Sequence, residues 1–468
     1  MVGAGLVPAR RGHEGCPYSR DTRSMLNRKL ADELFEKVLK YSTADETEAY
    51  IASTSYSLTR FANNTIHQNM AEEDLNLSVR AVVDHRTARA TSNKLDEASI
   101  REMCEAAQAL ARLQRPDQEL LRMPGPQTYR AVERCDPETA ELSPRARAET
   151  VKQVIRRAEK DQLTAAGVFS SGKVAQALYN SRRLCAYHEE SVSEFSVTML
   201  ADTGSGWAKK TGQRYQTLDP MSLADSAAAK ALRSRDPKEI QPGRYTVILE
   251  PSAVMDLLGF MLLDFGGLAV LEQRSCLTGR EKQKVFGGNI QIRDDGFHPS
   301  QSGAPFDGEG IPRHRVTLVE NGVVENLVYA RQTAHKMGKE PTGHGFQLPN
   351  EMGEAPLNIV MEGGRGTVEE MIRSTERGLL LTRLWYIREV DPYQKLLTGM
   401  TRDGTFFIEN GEIQYGVKNL RFNQSLIEML NHVEMMSAPQ RAAGEESIEM
   451  VVPAMKVGEF NFSSTTKF

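Results

Sequence analysis

From Leu26 the chain places apolar residues at Leu30, Leu34, Phe35, Val38 and Leu39, spacings that predict a helix with one buried stripe. The period then drops to two. Residues 48–58 and the series Leu75, Leu77, Val79, Ala81 and Val83 alternate as half-buried strands do, with turn residues at Asn63-Asn64 and Asp84-His85. Helical spacing returns over 96–113, and the Pro-rich stretch 115–144 reads as a long surface connection. The cycle then recurs: a helix over 143–162, short strand-like runs at 165–169, 174–179, 184–188 and 195–200, and a helix over 219–234. Two rounds of helix, antiparallel strands and helix within 26–235 predict a structural duplication.

Beyond Pro242-Gly243 the texture is one of strands and hairpins, with helix-like apolar segments at 253–270 and 367–378. Asn321-Gly322 and Asn410-Gly411 sit between apolar runs, and Asn-Gly supplies the two positive φ angles of a type I′ hairpin. The pattern predicts an α+β protein. Residues 26–241 form a mixed α/β domain with antiparallel sheet and helices, and 242–468 a β-rich domain. Residues 1–25 lack the apolar core of a secretory signal and are expected to be a disordered or spurious extension, with Met25 as the natural start.

Composition narrows the function classes. The 468 residues are 40% hydrophobic and 26% charged, as in ordinary globular proteins. A net charge of −4 offers no positive field for phosphate backbones or anionic lipid, so neither nucleic acid nor membrane is an expected partner. Five scattered cysteines without a Cys-x-x-Cys pair fit a reducing cytoplasm. The longest apolar run, 257–270, carries Asp264 and is too short to span a bilayer.

Local motifs for catalysis are sparse. His188-Glu189 has Val192 and Ser193 where a second imidazole would be needed for zinc, and reads as an exposed strand end. Asp294, Asp295, Asp307 and Glu309 share one Gly-rich loop, but their spacing is not that of a calcium loop, and carboxylates that cap backbone amides are the simpler expectation. Gly363-Gly364-Arg365-Gly366 lacks the Lys-Ser/Thr of a phosphate loop, whereas Thr367 and Glu370 form a capping box. There is no Gly-x-Ser-x-Gly elbow, and Cys276 is expected to be a buried thiol.

A series of segments is more specific than any of these. Residues 58–69 (LTRFANNTIHQN), 305–310 (PFDGEG), 342–345 (TGHG), 398–404 (TGMTRDG), 408–411 (IENG) and 419–422 (NLRF) occur in the order that resembles the TldD/PmbA (TldD/TldE) family, once labelled modulators of DNA gyrase. The resemblance spans residues 26–468. It implies a heterodimeric peptidase acting on unfolded peptides, in which one subunit carries zinc on a His-Glu-x-x-x-His helix and a late cysteine. Aligning Leu257-Leu258 with the apolar pair before that motif puts Gly259 at the first His, Phe260 at the general-base Glu and Asp264 at the second His, and no cysteine follows Cys276.

The resemblance therefore implies the PmbA/TldE branch: a non-catalytic subunit with no catalytic residue and no metal of its own, zinc being expected in a TldD-like partner. Asp307, Glu309, Arg402 and Arg421 are the candidate contacts to peptide or partner, weighed against loop-fixing salt bridges. The competing expectations are a free-standing hydrolase working through the 294–309 loop, and a DNA-gyrase modulator, which the net charge disfavours.

Overall fold

The computed structural model describes residues 25–444 and 449–466, and the extension expected at 1–25 lies outside them but for Met25. The first half runs α1 (Arg28–Tyr41), β1 (Glu46–Ala62), β2 (Thr65–Val83), β3 (Arg86–Ser92), α2 (Glu97–Leu113), then a short α3 (Pro137–Ala140), α4 (Pro144–Lys160), β4 (Thr164–Asn180), β5 (Cys185–Leu200), β6 (Ser205–Gly212) and α5 (Pro220–Arg233). The six strands form one antiparallel sheet ordered β3-β2-β1-β4-β5-β6. The order is that of two helix–three-strand–helix units joined back to back through β1 and β4, as the recurrence predicted.

Local chemistry sets the helix starts. Asn27, Asp96, Ser143 and Asp219 each accept the amide three residues on, and Pro144 and Pro220 occupy first-turn positions where no amide hydrogen is needed. The turn residues Asn63, Asn64, Asp84 and His85 all have positive φ.

Both helix pairs cover one face of the sheet. In β4, Ala175, Ala177 and Tyr179 pack under α1 and α2, while Ala165 and Phe169 pack under α4 and α5. Leu178, of opposite parity, meets Ala304 and Phe306 from the second half of the chain. The separate short strands expected at 165–179 and 184–200 are two long ones. Small residues such as Gly172 break the hydrophobic alternation, but a Cβ there would lie 2.1 Å from the Ser55 carbonyl, so the close pairing of β1 with β4 demands them. His188 is consequently no exposed strand end: it is the fourth residue of β5, buried, with Nε2 3.9 Å from Glu190.

The second half opens with β7 (Gly243–Leu249) and α6 (Pro251–Leu258), a 3-10 segment at Gly259–Phe265, and α7 (Gly267–Leu271). Then come β8 (Ile292–Asp294), β9 (Val316–Glu320), β10 (Val323–Val324), α8 (Arg331–Met337), β11 (Ile359–Met361) and α9 (Val368–Arg373). The chain ends with β12 (Arg377–Asp391), β13 (Leu396–Glu409), β14 (Glu412–Gly416), β15 (Leu420–Ser425), α10 (Leu426–Asn431), β16 (Val433–Met436), β17 (Gln440–Ala443), β18 (Glu449–Val452) and β19 (Met455–Thr465).

Pairings β12–β7, β7–β19, β19–β15, β15–β13 and β13–β12 close a five-stranded ring, which removes the exposed edges of an open sheet. A second sheet, β10-β9-β8-β11-β18-β17, shares its core with this barrel. The helix expected over 253–270 is broken into three because Gly259, Gly266 and Gly267 weaken helical winding and Gly266 is extended. That expected over 367–378 stops at Arg373, and Gly378 already pairs with Thr246 in the barrel.

Candidate functional site

The 3-10 segment Gly259–Phe265 carries the positions that the family resemblance assigns to zinc. Asp264 is buried. Its Oδ1 accepts the Cys276 amide at 2.8 Å, and its Oδ2 lies 2.5 Å from Nζ of Lys395. Lys395 comes from the turn between β12 and β13, where its backbone is left-handed at φ +48. The same ammonium donates to Glu389 Oε1 at 2.6 Å and to the Phe260 carbonyl at 3.1 Å. Burial alone would pull Lys395 down, but the Asp264 and Glu389 carboxylates outweigh it and raise its pKa. Burial, reinforced by Asp264, pushes the Cys276 thiol up to about 12.

This donor set does not fit zinc. At roughly 120° per residue, 3-10 winding separates positions 259 and 264 by about 120° around the axis instead of bringing them together. Gly259 has no donor, and Phe260 packs against the core. Cys276 is held protonated, and the remaining carboxylates are engaged by a lysine. Among the described residues no group of three His, Cys, Asp or Glu is arranged to hold a metal ion.

Asp307 and Glu309 are each only 4% exposed, and both cap loop amides, the simpler of the two expectations for them. Asp307 accepts the amides of Glu309 and Ile311, both at 2.9 Å, and of Gly345 at 2.8 Å. Glu309 accepts the Arg331 amide at 3.0 Å. A Cβ on Gly345 would come within 2.6 Å of Glu309, so the glycine of the TGHG segment lets the loops close on both carboxylates. Burial raises the pKa of Asp307, and burial together with the Asp307 charge raises Glu309 to about 7. Asp294 pairs at 3.0 Å with His344, both fully buried, and Asp295 caps the Phe297 amide. The four carboxylates of this loop thus serve its architecture.

Arg402 and Arg421 lie on neighbouring strands, with Met400 opposite Arg421. Arg421 is exposed and makes no ion pair among the described residues. Arg402 stacks 4.3 Å above Trp385. Beside it, Arg383 donates to Asp403 at 3.0 Å and lies 4.6 Å over Trp207 of β6, which joins the first sheet to the barrel. Asp403 also accepts Ser205 Oγ at 2.7 Å. In the Gly363–Gly366 stretch the amides of Gly364 and Gly366 donate to the Ser437 and Met436 carbonyls. The capping box of Thr367 and Glu370 is present.

Lys395 is the residue that sequence reading missed. It lies 135 positions from Phe260, in a turn whose composition signals only a hairpin end.

Comparison with known proteins gives a consistent outcome. Residues 47–111 match a family model described as PmbA/TldA metallopeptidase domain 1, and residues 242–464 one described as PmbA/TldA metallopeptidase C-terminal domain. Metalloprotease PmbA of Escherichia coli O157:H7 is 22% identical over 454 residues, covering 92% of this chain and 96% of that protein. An uncharacterized protein of Methanocaldococcus jannaschii is 28% identical over 199 residues, and a metalloprotease of Methanothermobacter thermautotrophicus 26% over 230. These matches span just under half of either archaeal relative, 46% and 48%. The crystal structure of TldE from Thermococcus kodakarensis superposes with a TM-score of 0.83 at 22% identity, over 92% of this chain and 99% of that one, so the fold is shared.

Proposed function

Because the chain belongs to the PmbA/TldD metallopeptidase family, we propose that it serves there as the non-catalytic subunit of a heterodimer whose zinc-bearing partner cleaves unfolded peptides. One observation carries this reading: the segment where the family resemblance locates the zinc motif holds Gly259, Phe260 and a lysine-paired Asp264, a set that neither binds a catalytic metal nor takes a proton from water. The chain then contributes shape, closing and stabilising the chamber of its partner.

An open edge supports a part in holding peptide. Residues 65–74 of β2 run past the end of β3, whose pairing begins at Leu77, and among the described residues no strand pairs with their outer edge, which could accept an added strand. The test is zinc content and cleavage of an unfolded peptide, for the chain alone and mixed with a zinc-bearing paralogue from the same genome. No zinc and no cleavage alone, with cleavage by a stable 1:1 mixture, is the expected result. Stoichiometric zinc with chelator-sensitive cleavage by the chain alone would overturn it.

A further inference from the structure

An ammonium has three donors and no acceptor. At Lys395 all three meet oxygen: Asp264 Oδ2 at 2.5 Å, Glu389 Oε1 at 2.6 Å and the Phe260 carbonyl at 3.1 Å. The lysine is 3% exposed, and the far oxygen of Asp264 is taken by the Cys276 amide, so Asp264 faces the site with only the oxygen that Lys395 occupies. Two of the three oxygens come from the 3-10 segment and one from β12, so the ammonium ties that segment to the β12–β13 hairpin.

The hairpin does not select this residue. A left-handed backbone disfavours a side chain with a β-carbon, and glycine or asparagine would suit φ +48 better. Burying a charge is costly unless it is paired. Lys395 therefore stands where turn chemistry and solvation both oppose it, and only the three oxygens favour it.

We propose that Asp264, Glu389 and the Phe260 carbonyl form a cation cage whose occupant is the Lys395 ammonium, a covalently attached cation that cross-links segment and hairpin as a bound metal ion would. The parallel with the family's zinc rests on the non-catalytic reading given above, whereas the cage rests on geometry alone. Its consequence is a metal-independent subunit whose fold is indifferent to chelators.

The experiment is thermal unfolding of full-length Lys395→Ala with and without millimolar calcium, chosen because hard oxygen donors suit that ion. The variant is expected to melt about 5 °C below wild type, because the buried Asp264 carboxylate loses its counter-charge. Calcium is expected to restore at least half of that loss, with no effect on wild type or on Lys395→Ala/Asp264→Asn.

Melting of Lys395→Ala within about 2 °C of wild type would overturn the cage, as would a loss that calcium leaves untouched. Should the single variant not fold, Lys395→Met/Asp264→Asn decides: a folded neutral pair supports the charge argument, and an equally unfolded one refutes it. Stoichiometric zinc in the wild-type chain would instead sink the non-catalytic reading, leaving the calcium response to judge the cage separately.

Discussion

Glu309 shows how far burial and a neighbouring carboxylate can move the titration of a side chain. Its carboxyl faces Asp307, the Arg331 amide and guanidinium, and more distantly Arg80, with the Gly345 backbone closing the space. A folded pKa of about 7 against an ordinary value of 4.5 means that the native state holds a proton the unfolded state has lost. The stabilisation is complete below about pH 4.5 and fades as pH rises through 7. Glu309→Gln is therefore expected to flatten the pH dependence of the melting temperature between pH 5 and 8. The variant should exceed wild type at pH 8 by up to roughly 3 kcal/mol, read from urea unfolding. A variant no more stable than wild type at pH 8 would show that Glu309 is ionised without penalty.

The sequence signals Asp307 and Glu309 as candidates because they are charged and share a Gly-rich loop. It does not signal that both point inward, since direction depends on which amides the folded loops present. Cys276 is the reverse case: a thiol with no polar partner nearby in sequence defaults to the core, and it is found there, 4% exposed.

At the scale of elements, the hairpin at Asn410-Gly411 and the helix start at Thr367 are local devices with local costs. Gly411 has φ +80, and a Cβ there would approach the Arg373 carbonyl to 2.8 Å. Gly411→Ala is expected to cost about 1–2 kcal/mol in urea unfolding. Thr367→Ala, which removes one half of the capping box, should cost about 1 kcal/mol. Gly259 makes the contrast: a Cβ added there meets nothing within 4 Å and its φ is −52, so Gly259→Ala is expected to be neutral or stabilising by up to about 1 kcal/mol. A large loss at Gly259 would mean that the 3-10 segment needs glycine for a reason its surroundings do not show.

Turns were legible because a positive φ is a property of one or two residues. Strand length in β4 and β5 was not, because Gly172 and its serine neighbours are chosen for the approach of β1, a partner more than a hundred positions away. The break in 253–270 is intermediate: the glycines mark weak points, but the extended Gly266 answers to the Val328 and Glu354 backbones packed against it.

Across the whole molecule, the chain's two tryptophans flank one arginine at the junction of the first sheet with the barrel. Arg383, paired with Asp403, lies between Trp207 at 4.6 Å and Trp385 at 5.8 Å. Arg383→Met leaves Asp403 buried without this partner and is expected to cost about 3 kcal/mol, with a red shift of tryptophan emission as the junction admits water. Unchanged emission and stability would assign the stack no role in holding the halves together. Among the described residues no helix is long and apolar enough to cross a membrane.

Periodicity and turn chemistry specified the duplicated helix–strand–helix units, the hairpins and the strand-rich second half, because those depend on residues within a few positions of one another. The ordered segments specified the family because each is a short run of residues readable in the sequence by itself. Only the folded chain decided that β12 and β13 close a barrel, that the 307–309 carboxylates turn inward, and that a lysine from a distant hairpin fills the place opposite Asp264. Those outcomes depend on burial and on pairing between segments remote in sequence, where the cost of an unpaired charge is set by neighbours that adjacent residues do not reveal.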